Sequence, residues 1–290
     1  MDQPATWPGW PADGGARAEL EAYTQQGFSA PSEPLTLPLE DEACVRAWDR
    51  YVAEAEADGT PVWRVLQRRL PQFRFPIGVD VPDSEAYRAA VRLGDLSAAP
   101  ADGLVLENPE SFSLTVHPTV AGRVPILEPR GRADFVAILQ ALTKRNAPAP
   151  IPDSMGASII GGFNNWDRIN TLRDRFLARH DIDGPIGEMA WRRHFKAKVV
   201  PHKQLYQYRF IVLSDGPYSG LSAADLGLDE AIWRARSRVI RREHECTHYF
   251  TRRACGSMRN NLHDELIADY SGLVAAFGRF DAALFLRLIG

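Results

Sequence analysis

Two histidines four residues apart, with a glutamate beside the first, stand in His244-Glu245-Cys246-Thr247-His248; Glu265 and Asp269 follow in Asp264-Glu265-Leu266-Ile267-Ala268-Asp269. These residue types in this order supply a three-ligand metal site with an open position. On a helix, positions i and i+4 share one stripe with Cβ atoms about 5–6 Å apart, so both imidazoles can converge on one ion. Glu245 lies about 100° round from His244. It therefore flanks the ion, the place for a carboxylate that handles the proton of a metal-bound water. Glu265 is the expected third ligand, with Asp269 or Asp264 able to replace it. Asp269 follows Glu265 by four residues and shares its face, placed to accept the Nδ1–H of a ligand histidine.

Two helices must position these groups. The first is expected over 229–254, stopping at Gly256, a natural helix terminator. The second starts near Asn260-Asn261, good N-caps, carries Asp264 in its first turn and runs to about Gly278, where a further helix takes over. On the first helix, Ile232, Ala235, Val239, Cys246 and Phe250 form an apolar stripe predicted to face the core. The histidines fall nearly opposite it, bordered by Trp233, Ile240 and Thr251. Arg234, Arg238, Arg241 and Arg252 share a polar sector with Glu245, read as a solvated face or, more sharply, as a bidentate grip on a substrate carboxylate. His263, Tyr218, Tyr249, Tyr270 and Arg252 are the candidates for transition-state or substrate contacts. His117, His180, His194 and His202 show no metal-ligand spacing.

Upstream, residues 1–40 are rich in Pro, Gly and acidic side chains and are expected to form an extended arm. A second region, 41–147, is expected to hold helices over 41–57, 60–70, 83–93 and 133–145, with a hairpin from 111–116 and 123–127. The Pro-rich stretch 146–152 is the linker candidate before a metal-binding region over 148–290. Gly161-Gly162-Phe163-Asn164-Asn165 is predicted to turn into a helix over 166–179, and it lacks the spacing of a phosphate-binding loop. Residues 206–213 alternate and read as a strand, closed by Ser214-Asp215-Gly216-Pro217-Tyr218. Lying along the cleft, that strand would pair with an extended substrate. The apolar stretch 284–290 is expected to dock on the core.

The whole chain of 290 residues is 45% hydrophobic and 24% charged, ordinary globular composition with ample material for a core. A net charge of −3 gives no global pull toward nucleic acid or an anionic membrane. No apolar run reaches bilayer-spanning length, and Met1 to Trp10 lack the order of a signal peptide. Three sparse cysteines, Cys44, Cys246 and Cys255, argue against a disulfide framework and fit a reducing cytoplasm. The expected partner is a peptide or small-molecule substrate; the oligomeric state is open.

The constellation resembles the gluzincin clan of zinc metallopeptidases, whose pattern is H-E-x-x-H followed by E-x-x-x-D, over roughly residues 229–280. The segment 264–272 also looks like the Glu-x-x-Ala-Asp element of membrane-bound zincins, and the stretches before 229 are similar to uncharacterised bacterial zincin-like proteins. The resemblance implies His244, His248 and Glu265 as zinc ligands, Glu245 as general base and Asp269 as the carboxylate behind a histidine. It implies an α+β, zincin-like fold, a small mixed or antiparallel sheet above the metal helix with a helical lower half. The expected activity is zinc-dependent hydrolysis of a peptide or amide. Two alternatives use the same residues: a two-histidine, one-carboxylate Fe2+ oxygenase site, and a structural zinc module closed by Cys255 or His263.

Overall fold

Apolar side chains set the centre of the fold, a four-stranded sheet whose two central strands are largely buried on both faces. The computed structural model describes residues 13–25, 27–31, 33–100, 103–256 and 261–289; Met1 to Trp10 lie outside them. The strands β1 (Ser113–His117), β2 (Val124–Glu128), β3 (Ala157–Asn164) and β4 (Gln207–Leu213) are ordered β1-β2-β4-β3. β1 and β2 form the expected antiparallel hairpin, β2 runs parallel to β4, and β3 pairs antiparallel with β4. The sheet thus draws strands from both sides of the Pro-rich stretch 146–152.

The helices are α1 (Gly14–Thr24), α2 (Val45–Asp58), α3 (Val62–Arg69), the single turn α4 (Glu85–Tyr87), α5 (Arg132–Thr143), α6 (Trp166–His180), α7 (Gly184–His194), α8 (Glu230–Cys255), α9 (Leu262–Phe277) and α10 (Ala282–Ile289). The architecture is a mixed α+β one. Along β4, Tyr208, Phe210 and Val212 join the main core with Trp48 of α2, Leu66 of α3 and Phe135 of α5. Ile211 and Leu213 point the other way and meet Cys246 and Tyr249 of α8. This period-two split fixes the register, because a slip by one residue would exchange the two faces.

The two long helices form where the sequence marks them. Asp229 caps α8 by accepting the amides of Ala231 and Ile232 at 2.8 and 3.2 Å, and Gly256 ends it with φ 64°. Asn261 caps α9 by accepting the amide of Asp264 at 2.9 Å. Ala268 and Gly272 put small residues on the face of α9 that crosses α8. A Cβ on Gly272 would lie 2.7 Å from the backbone oxygen of Ile240, so only glycine permits this approach.

Five expectations are corrected. Part of the supposed arm is helical, because Asp13 caps α1. Gly161 and Gly162 lie inside β3, not in a turn: the left-handed φ of Gly162 (87°) serves a break in register between Gly161 and Phe163. α7 was not foreseen. The strand over 206–213 is interior, and the edge strand beside α8 is β3. The predicted stripe of α8 fails at its N-terminal end: Ile232 is 48% exposed and Ala235 is exposed, while Trp233 and Ile240 pack on Leu273 and Leu288. The apolar C-terminal stretch docks as expected, through Leu288 of α10. No helix among the described residues is long and apolar enough to cross a membrane.

Gly272→Ala is expected to force α9 away from α8 and lower stability by about 1–3 kcal/mol. Urea denaturation checks this, and an unchanged midpoint would contradict the tight crossing.

Candidate metal centre

His244 and His248 face α9 from successive turns of α8, their Nε2 atoms 3.0 Å apart. Glu265 Oε2 lies 3.4 Å from His244 Nε2 and 3.5 Å from His248 Nε2. Three donor atoms from three side chains therefore close one small triangle. Behind it, each imidazole is held on its other nitrogen. Asp269 Oδ1 meets His244 Nδ1 at 2.9 Å, and Asp264 Oδ2 meets His248 Nδ1 at 2.9 Å. Both carboxylates fix the tautomer that leaves Nε2 free to bind an ion. The Asp269 contact was expected; the Asp264 contact was not. Its signal was present, since Asp264 precedes Glu265 by one residue and follows Asn261 by three, which turns it inward.

Electrostatics agree with this geometry. Burial lowers the pKa of both histidines, but the carboxylates outweigh it and raise them, His244 through Asp269 and Glu265, His248 through Asp264 and Glu265. The same contacts, His244 first and His248 next, pull Glu265 down to about 2. Glu245 sits beside the triangle with its carboxyl raised by burial, against the pull of the two histidines, and it accepts a hydrogen bond from the backbone of Ile159 on the edge strand.

A cavity of about 200 Å³ opens next to His244 and Glu245, lined by Ser154, Gly156, Ala157, Tyr218, Ser219 and Arg241 among others. Tyr218 donates its phenol to Asp269 at 3.1 Å, and burial, with Asp269, raises its pKa so that it keeps its proton. Tyr23 of α1 also feels Glu265 and Asp269, although burial is the larger cause of its raised pKa. Nothing local in the sequence marks Tyr23. Arg241 is buried, not on a solvated face.

The other candidates fall elsewhere. Tyr249 is buried toward the sheet with its hydroxyl on Glu42 at 3.0 Å. Tyr270 is 54% exposed and stacks near Phe280. His263 is exposed. Arg252 is exposed near Arg209 and Glu42. Among the described residues neither Cys255 nor His263 joins the triad as a fourth ligand. A second grouping, His117 with Glu243 and Cys246, lies toward the sheet; there Glu243 already pairs with Arg242 at 2.7 Å and His117 at 3.7 Å.

The triad fits a divalent cation. Tetrahedral bonds of about 2.0–2.1 Å require donors about 3.3–3.4 Å apart, and the observed edges are 3.0, 3.4 and 3.5 Å.

The chain belongs to a family of unknown function, DUF7005, whose family model matches residues 11–290. No curated protein and no solved structure matches it.

The pKa shifts set the sign of a pH dependence. In ion-free protein the raised histidines stabilise the fold fully below about pH 6.5, and that contribution fades as pH rises through about 9 and 10. Glu265 contributes above about pH 4.3 and loses its part as pH falls toward about 2. A cation must displace the histidine protons, so apparent zinc affinity is expected to rise about 10- to 100-fold per pH unit between pH 6 and 8. Competition with a chelator at both pH values measures this, and a flat profile would sink the ligand assignment.

Proposed function

We propose that this protein is a zinc-dependent hydrolase of a peptide or amide bond, with a zincin-like arrangement of metal helix and edge strand. The observation that carries the reading is the triangle of His244, His248 and Glu265 donors with a half-buried carboxylate, Glu245, beside an open cavity. His244, His248 and Glu265 would hold the ion. Bound there, the ion supplies a Lewis acid that polarises a carbonyl and lowers the pKa of water to about 7.

The chain's own residues do the rest. Glu245, raised by burial, is suited to take a proton from the attacking water and return it to the leaving amine. The balance is one water added across one amide: the hydroxyl goes to the carbonyl carbon, the proton to nitrogen. Tyr218 keeps its proton and gives it to Asp269 in this geometry; turned off that carboxylate, the same O–H would serve the oxygen that gains charge. The free side of β3, whose Ile159 amide reaches Glu245, offers backbone groups to an extended substrate.

The three donor edges of 3.0, 3.4 and 3.5 Å span both tetrahedral and octahedral spacings, so metal analysis decides between zinc and the iron alternative. The cavity at Glu245 favours a reactive site over a closed structural one.

Glu245→Gln is expected to abolish turnover while the ion stays bound, and His248→Ala to lose both. Metal content by mass spectrometry, together with release of amine from a peptide pool, reads the two arms. Turnover retained in Glu245→Gln would remove the base. Tyr218→Phe is expected to lower kcat about 10²-fold with metal content unchanged; an unaltered kcat would remove its role.

A further inference from the structure

The cavity beside Glu245 contains one full charge that the proposed hydrolysis does not use. Arg241 lies on α8 one turn before His244 and Glu245, is 5% exposed, and lines the same space. Its guanidinium donates to three backbone carbonyls: Nη1 to Gly216 at 2.5 Å and Ser214 at 3.4 Å, Nη2 to Pro217 at 2.5 Å. Among the described residues no carboxylate forms an ion pair with it. The titratable groups that bear on it are Tyr218, Asp215 and Arg132, and Asp215 is turned toward the Gly131 amide and Arg130. A guanidinium has five N–H donors, so the carbonyls leave part of the fork, including Nε–H, without an acceptor.

Arg241 faces the cavity it lines with Tyr218, His244 and Glu245. The guanidinium packs directly on the backbone of Gly156, where a Cβ would lie 2.2 Å from Nε and 2.7 Å from Cζ, so any side chain there would displace it. Gly156 is not at a positive φ; the need is space. Carbonyl acceptors satisfy hydrogen bonds without cancelling charge, and a buried charge without a counter-ion is costly unless a partner arrives.

We propose that Arg241 is the anchor for a free carboxylate on the substrate, so that the site takes short acyl-amino acids or the carboxyl end of a peptide. This inference rests on the hydrolase reading and names its substrate class. The reach fits: one helical turn is about 5.4 Å, the span of one to two residues from the reacting carbonyl at about 3.3–3.6 Å each. The size fits too. At about 200 Å³ the cavity is below the roughly 300–1,000 Å³ of sites for larger ligands, and it suits one terminal residue.

The test uses zinc-loaded full-length Glu245→Gln, which binds without turnover. N-acetyl-alanine, N-acetyl-leucine and N-acetyl-phenylalanine are titrated by calorimetry, each as free acid and as primary amide. At least one acid is expected to bind 10-fold or more tightly than its amide, and Arg241→Met in the same background is expected to erase the difference. Because Arg241 also holds the loop carbonyls, that variant is compared at matched zinc content and melting temperature. The acid–amide comparison on intact Arg241 stands without it. Acids and amides that bind alike, or a failure of all six to bind, overturn the proposal. Wild-type hydrolysis of the same compounds separates the two readings: equal cleavage of acids and amides keeps the hydrolase and removes the anchor. Selective acid binding with no cleavage keeps the anchor and removes the hydrolase.

Discussion

The pairing of two imidazoles on α8 with two aspartates on α9 is the interaction on which the site depends. Asp264 and Asp269 each occupy one Nδ1, so both Nε2 atoms must turn inward toward Glu265. Three carboxylates then face two imidazoles in a largely buried space. Such a cluster is balanced by protons or by a cation, and a dication meets all three inward donors at once. The helix crossing has to be close for this to work, and Ala268 and Gly272 make it close. Asn261 matters for the same reason, because its cap sets the first turn of α9 and turns Asp264 toward His248.

Much of this was legible in the sequence because helical spacing is local information. His244 and His248 one turn apart, Glu265 and Asp269 one turn apart, and caps at Asp229, Asn261 and Gly256 define two rods and the faces that must meet. The hairpin of β1 and β2 was readable on the same ground. What failed was non-local. Strand order depends on which edges find each other, so β4 could not be known as interior from its own alternation. The buried side of α8 was misjudged at Ile232 because α9 and α10 cover Trp233 and Ile240, and an angular count cannot say where a neighbour sits. Gly161-Gly162 read as a turn because glycine marks positive φ, but here that freedom absorbs a bulge inside β3.

Arg241 shows the same limit at a single residue. Its place one turn before His244 was visible, yet its polar class suggested solvent. Burial comes from the loop after β4, whose carbonyls at Ser214, Gly216 and Pro217 wrap the guanidinium. Ser237 adds a second tie by accepting the Tyr218 amide at 2.9 Å.

These ties make the end of the sheet, the loop and the metal helix one unit. Tyr218 leaves that loop, stacks over Arg241 at 5.6 Å and reaches Asp269 at 3.1 Å. The loop that shapes the cavity is therefore joined to the carboxylate that orients His244. Preorganised dipoles and charges in a space of low dielectric act without the reorganisation that water would require. A carboxylate in place of the three carbonyls would hold the guanidinium equally well, but it would neutralise it. Backbone acceptors hold it and leave its field directed into the cavity, which Glu245 and His244 also line.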